Sequence, residues 1–202
     1  MAKSFSCPNC GNIIKPAIDT CQLLICSACN SSIFYDNGNL ENHGKMAALA
    51  DEPSLFQLNH RYKHLDWCFT PIGRVRYDYG EGTWDEFYVL SDNGATNWVS
   101  VDEGDVAIEK LVKSNVQVQP FGELRVGDQV TLLNQRLTVT EKNTCTLVGA
   151  EGQLPFPIEP NDTYDYIDLL GPKSSSFTVE YQKDSVECFK GTWVDPYEIV
   201  EV

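Results

Sequence analysis

The stretch Arg74-Val75-Arg76-Tyr77-Asp78-Tyr79, followed by Gly80-Glu81-Gly82, decides the fold class. Its apolar and polar residues alternate strictly, which places Val75, Tyr77 and Tyr79 on one face of a half-buried strand. The glycine pair that follows marks a turn. Val116-Gln117-Val118-Gln119 and Leu137-Thr138-Val139-Thr140 carry the same period, so both are expected to be strands. Further turn signals stand at Asp92-Asn93-Gly94, Glu103-Gly104-Asp105, Gly127-Asp128 and Gly171-Pro172. Short strands with frequent turns read as small barrels or sandwiches. The one helical expectation is Met46 to Glu52, where Ala-Ala-Leu-Ala favours a turn of helix and Pro53 stops it.

An internal repeat accompanies the strand pattern. Trp84 to Lys110 lies on Tyr164 to Lys190 without a gap, with five identical pairs in 27 positions. Asp85 with Asp165, Leu90 with Leu170 and Val99 with Val179 are among them, and Phe87 with Ile167 adds a similar pair. The reading is mostly β: an N-terminal zinc ribbon over residues 1–45, then two related small β-barrel or β-sandwich units over 46–113 and 114–202.

The ribbon rests on two knuckles. Cys7-Pro8-Asn9-Cys10-Gly11 and Cys26-Ser27-Ala28-Cys29-Asn30 give C-x2-C-x15-C-x2-C, a zinc-site spacing. A two-residue gap lets both sulfurs of a tight turn face one ion, and four thiolates close a tetrahedral shell. Gly11 and Asn30 follow the second cysteine of each knuckle, where a left-handed backbone is often required. Cys7, Cys10, Cys26 and Cys29 are therefore the expected ligands of one structural zinc ion. Iron suits the same sulfur shell. Cys21 pairs with nothing at metal spacing, and Cys68, Cys145 and Cys188 sit in apolar strand contexts as core residues. His60 and His64 stand four apart but lack the H-E-x-x-H pattern.

Charge narrows the function classes. The chain of 202 residues carries 15 Lys+Arg against 29 Asp+Glu, a net charge of -14. The cysteine-rich head is balanced, three against three, so the acidity belongs to the rest. That disfavours a nucleic-acid partner and an anionic lipid surface, both of which need clustered bases. The start shows no apolar leader and no stretch is long enough to span a bilayer, so a reducing, cytoplasmic setting is expected, where paired cysteines serve metals. No phosphate-binding loop, dinucleotide fingerprint or nucleophile elbow is present, so no enzyme is expected.

Trp84-Asp85-Glu86-Phe87-Tyr88 and Trp98 stand out beside this absence. Aromatic residues with acids nearby hold a cation by ring contact plus charge, which makes Trp84, Asp85, Glu86 and Trp98 candidate ligand-binding residues. The competing reading puts Trp84 and Trp98 in a barrel core.

The body resembles a bacterial family, domain of unknown function 4178. The matching stretches are Ile72 to Tyr77, Trp84 to Leu90, Trp98-Val99, Val139-Thr140-Glu141, Glu151 to Pro155, Tyr164 to Leu169 and Gly191 to Val194. Gln153 departs from the glutamate that family members tend to carry. The resemblance implies a zinc ribbon followed by one or two β-rich units, with no activity to carry over. It also implies a gene neighbourhood with a small membrane protein, a phage-shock-like protein and polyamine-synthesis-like enzymes. The expected function is a non-enzymatic adaptor in an envelope- or stress-associated assembly, with protein partners and no direct membrane insertion. Two other readings stand beside it: a sensor of a small polyamine-like cation, and an accessory subunit of an enzyme complex.

Overall fold

A computed structural model describes residues 4–36, 39–50, 53–114, 116–172, 175–182 and 185–202. The head holds β1 (Phe5–Ser6) paired with β2 (Ile13–Ile14), then β3 (Leu23–Ile25), β4 (Ser31–Asp36) and β5 (Asn39–Lys45) in one antiparallel run. The body follows with β6 (Tyr62–His64), β7 (Trp67–Asp78), β8 (Thr83–Ser91), β9 (Thr96–Asp102) and β10 (Asp105–Ser114). Its second half holds β11 (Gln129–Leu132), β12 (Gln135–Leu154), β13 (Thr163–Leu170), β14 (Ser176–Tyr181), β15 (Val186–Val194) and β16 (Ile199–Glu201).

The two halves close one ring. The hydrogen-bonded order runs β7-β8-β9-β10-β15-β14-β13-β12, and β12 pairs back onto β7. Every neighbouring pair is antiparallel. The fold is thus mostly β, with two related meanders, β7–β10 and β12–β15. They share one barrel because each would otherwise leave two long edges unpaired. The repeat is visible strand by strand: eighty residues on from the starts of β8 and β9 lie the starts of β13 and β14. Positions 173, 174, 183 and 184 of that repeat lie outside the described residues.

Closure at the β7–β12 pairing depends on two glycines. Gly73 stands opposite Gly152. A Cβ on Gly73 would run into the Gln153 carbonyl, and one on Gly152 would run into the Ile72 carbonyl. Gly152 also sits at φ +74, in the left-handed region. Bulges between Val139 and Glu141 and between Leu147 and Gly149 bend the 20-residue β12, so that it serves β13 first and β7 later.

The aliphatic face of each meander points outward and is covered. Phe69, Phe87, Val89, Val99 and Val106 pack under Phe56 and Tyr62, with Ile199 from the C-terminal segment. Ile167, Leu169, Phe177 and Val179 pack under Val116, Leu124, Val130 and Leu132. Two expectations fail for this reason. Val116–Gln119 is not a strand: it crosses the outer face as cover, with the Val116 amide donating to the Val186 carbonyl at 3.0 Å. Met46–Ala50 is not helical, because it lies extended against the bent part of β12, where Gly149 faces the Ala47 carbonyl. Five residues are too few to nucleate a helix against such packing. Asp51 and Glu52 of that expected helix lie outside the described residues.

The head docks on one end of the barrel. β3 adds to β12 through Leu24 opposite Gln153 and Leu23 opposite Leu154. Leu23, Leu24 and Ile33 share one apolar cluster with Val75, Tyr88, Trp98 and Leu147 of the barrel.

Candidate functional site

The four knuckle cysteines meet as their spacing predicts. All four sulfurs lie within 4.8 Å of one another. Cys7 Sγ is 3.8 Å from Cys29 Sγ, and Cys10 Sγ is 3.7 Å from Cys26 Sγ. A metal–sulfur bond of about 2.3 Å in a tetrahedron requires sulfur–sulfur edges of about 3.8 Å. The donor set therefore fits a divalent metal ion of tetrahedral preference.

The backbone prepares this geometry. Gly11 and Asn30 have φ of +78 and +55. Their amides donate to the carbonyls of Cys7 and Cys26 at 2.9 and 2.8 Å. The Ser31 hydroxyl and the Asn9 amide, hydrogen-bonded to Cys29 Sγ, pull that thiol down to about 5 and favour its ligating form. Cys21 is buried where the head meets the barrel, 3.7 Å from Gln153 Oε1. It stands outside the cluster of four sulfurs, and burial pushes its thiol up to about 11. Gln153 joins the two parts: Oε1 accepts from the Ala17 amide at 2.6 Å and Nε2 donates to the Lys15 carbonyl at 3.0 Å. The Gln amide has both functions, whereas an ionised Glu only accepts.

The second site is the barrel interior. A cavity of about 610 Å³ fills it. The inward face of β8 gives Trp84 and Glu86, β9 gives Ser100 and Asp102, and β10 gives Ala107 and Glu109. The other meander contributes Glu141, Tyr164, Tyr166, Asp168 and Glu180. Val75, Tyr88 and Trp98, which pack in the cluster shared with the head, are not among its lining residues. Its lining includes Tyr79, Glu81 and Trp193, the last 59% exposed. The cavity is thus a pouch that reaches solvent beside Trp193.

Among the described residues seven carboxylates line the pouch, and no Lys, Arg or His does. Their hydrogen-bond partners are neutral. The Trp84 indole donates to Glu86 Oε1 at 3.1 Å. The Thr178 hydroxyl reaches Asp168 Oδ1 at 2.7 Å and Glu109 Oε1 at 3.2 Å. The Tyr166 hydroxyl donates to Glu141 Oε1 at 2.6 Å. Nearby bases face outward: Lys142 donates to the Leu124 carbonyl, and Lys190 lies over the Phe177 ring.

Burial with this crowding raises the acids. Burial pushes Glu86 up to about 7 and Asp168 up to about 6. Burial, with Glu86 and Asp168 beside it, pushes Glu109 up to about 8. Glu180 is held well above the usual carboxylate range, first by burial and then by Glu86. Each acid would become more ionised, and the pouch more stable, with a positive charge inside.

Rings stand between the acids. Trp84 lies 5.0 Å from Tyr77 and 5.4 Å from Tyr166, and Tyr77 lies 5.9 Å from Tyr164. Tyr77 is 7% exposed and its hydroxyl has no hydrogen bond among the described residues. Asp102 Oδ1 is likewise buried without a partner among them.

Of the four residues singled out from sequence, the structure brings Trp84 and Glu86 together in the pouch. Asp85 points the other way, out of the barrel. Burial raises its carboxyl, but Arg76 and Arg74 more than offset this and hold it below its ordinary range. The bonds are 2.6 Å from Arg74 Nη2, and 2.9 and 3.0 Å from Arg76 Nε and Nη2. Trp98 does not line the pouch but packs in the core between Tyr88 and Phe156. Cys145 lines the pouch, but burial pushes its thiol up to about 12, which leaves it inert as a nucleophile. His60 and His64 face Glu201 and Glu198 of the C-terminal segment, at 2.8 and 3.4 Å.

Sequence reading missed Glu109, Asp168, Glu180 and Tyr77 as a set. The signal was parity: these acids and rings fall on the strand face opposite Phe87, Val89, Ile167, Leu169, Phe177 and Val179. Which parity faces inward is decided by the covering segments.

The model of the family described as Domain of unknown function (DUF4178) matches residues 68–196. That span covers the barrel from the start of β7 to just beyond β15, and leaves out the four-cysteine head. No curated protein and no solved structure matches the chain.

Proposed function

The chain belongs to the domain of unknown function 4178 family, and from the interior of its barrel we propose that it binds a small organic cation. One observation carries this reading: a pouch lined by seven carboxylates and several rings, with no base on its walls among the described residues. Uncompensated buried carboxylates are costly, and a bound cation relieves that cost. Aromatic faces add attraction to an alkylammonium group. On this reading the module binds without catalysing a reaction, its acids surrounding a place for charge.

The four-cysteine head holds zinc and packs against the barrel. Cys7→Ser with Cys26→Ser is expected to remove the metal and loosen the head, while the ring of strands keeps much of its structure. Stoichiometric metal retained by the double variant overturns the zinc assignment.

Calorimetric titration with spermidine at physiological salt tests the main reading. Saturable binding that persists in salt, and that Glu86→Gln weakens, supports it. Binding that salt erases and Glu86→Gln leaves unchanged is counterion attraction to the acidic surface, and overturns it.

An adaptor role is the second reading. The knuckle turns at Pro8, Asn9, Ser27 and Cys10 are exposed, and Trp193 is exposed where the pouch reaches solvent. These surfaces suit a protein partner in a cytoplasmic, envelope- or stress-associated bacterial assembly, or in an enzyme complex served as an accessory subunit. A stoichiometric partner co-purifying from native cells, and lost when the knuckles are altered, identifies that role. A clean monomer counts against it.

A further inference from the structure

We infer that the ligand is a linear polyammonium chain lying along the barrel axis, its charged nitrogens at successive carboxylate levels and its methylenes against the rings. This deepens the cation reading above and rests on it.

The carboxylates are spread along the strands, not gathered at one point. Glu86 stands opposite Ser100, and Asp102 stands opposite Trp84, so these two acids differ by one two-residue step along the strands. On the facing meander, Glu180 stands opposite Tyr166, and Asp168 stands opposite Thr178, again one step apart. One such step is about 6.7 Å, roughly the span of a three- or four-carbon spacer between amines. Negative charge therefore recurs along the axis on both walls.

A compact cation does not fit this spread. Among the described residues only the cysteine head brings three or more ligand atoms of His, Cys, Asp or Glu within 4.8 Å of one another. A calcium-like ion needs several oxygens converging at about 2.4 Å, which these acids do not supply. A single quaternary ammonium would satisfy one ring cage but leave the other carboxylate level without charge, and it brings no N–H donors.

The pouch has acceptors in place for N–H groups. The Tyr77 hydroxyl, 7% exposed and unpartnered among the described residues, lines the cavity where Glu86 and Glu180 act on it. Asp102 Oδ1, buried and unpartnered among the described residues, offers a second such atom one level away. Trp84, between Tyr77 and Tyr166, is positioned to cover the methylenes between the two levels. The exposed Trp193 on the cavity's lining marks where a chain can enter.

The test is a ligand series measured calorimetrically at physiological salt on the full chain with its metal. The probes are butylamine, 1,4-diaminobutane, spermidine, tetramethylammonium and calcium. The expected result is affinity rising with the number of ammonium groups, by about tenfold for each added charge-assisted contact. Glu86→Gln and Asp102→Asn should each weaken spermidine by about tenfold and narrow its advantage over the diamine. Tyr77→Phe should weaken it several-fold. Two acidic variants, each checked by circular dichroism, keep the test open should one not fold.

Butylamine or tetramethylammonium binding as tightly as spermidine overturns the polyammonium inference and leaves the organic-cation reading standing. Calcium displacing spermidine at similar concentration overturns it in favour of a metal. Spermidine binding indifferent to both acidic variants removes it from the pouch. No saturable binding of any amine removes both readings.

Discussion

Glu109 gives the interior a pH signature that can be worked out in advance. Its carboxyl is raised from 4.5 to about 8, first by burial and then by Glu86 and Asp168. Between pH 5 and 7 the unfolded chain sheds this proton and the folded barrel keeps it. The folded state binds more protons, so stability falls as pH rises. The favourable contribution is complete below about 4.5 and is lost as pH climbs through about 8. At about 1.4 kcal/mol per pH unit, the loss between pH 5 and 7 is about 2 kcal/mol from Glu109 alone. For a chain of this size that is a fall of roughly 4–8 °C in Tm.

Glu109→Gln removes the titration and keeps the shape. The assay is thermal melting of both proteins, freed of amines by dialysis, at pH 5, 6 and 7. The wild-type Tm should drop several degrees more than that of the variant over this range. Taking the difference between the two proteins cancels contributions they share. Metal release from the thiolates and the Arg76–Asp85–Arg74 group, whose stability instead falls on acidification, are two of these. Parallel pH profiles for the two proteins would refute a buried, cation-free Glu109. Adding a bound amine should flatten the wild-type profile, since the carboxylate then ionises against a positive charge.

Asp85→Ala removes the carboxylate that Arg74 and Arg76 share, their side chains 9% and 8% exposed, and should cost about 3–5 kcal/mol in urea melts. A loss below 1 kcal/mol would mean that the pairing is no more than a surface bridge. Gly152→Ala puts a side chain at φ +74 and against the Ile72 carbonyl, and should destabilise the barrel by at least about 2 kcal/mol. Unchanged unfolding would show that the closure has slack. Gln153→Glu keeps the acceptor for Ala17 but loses the donor to Lys15. It should cost about 1–3 kcal/mol and speed hydrogen exchange in β3 before the barrel strands. Equal protection in wild type and variant would deny the clamp.

The metal head was legible in the chain because its geometry is local. A C-x2-C turn, with Gly11 or Asn30 after it, fixes two sulfurs within four residues, and one partner turn completes the shell. Strand alternation and the eighty-residue repeat were legible for the same reason: pleating is a property of neighbouring residues. The sequence alone therefore determined the β class, the two related meanders and the four-cysteine cluster.

Tertiary structure decided the rest. Alternation shows that Trp84 and Glu86 share one face and that Asp85 and Phe87 share the other, but not which face is inside. The aliphatic face faces outward here because distant segments, around Phe56 and from Val116 to Leu132, lie over it. The opposite face then encloses acids from both meanders, and joint closure through Gly73 and Gly152 makes one pouch instead of two cores. A carboxylate on a strand is an ordinary surface group until the ring closes around it. Only long-range pairing removes the water that would have solvated it.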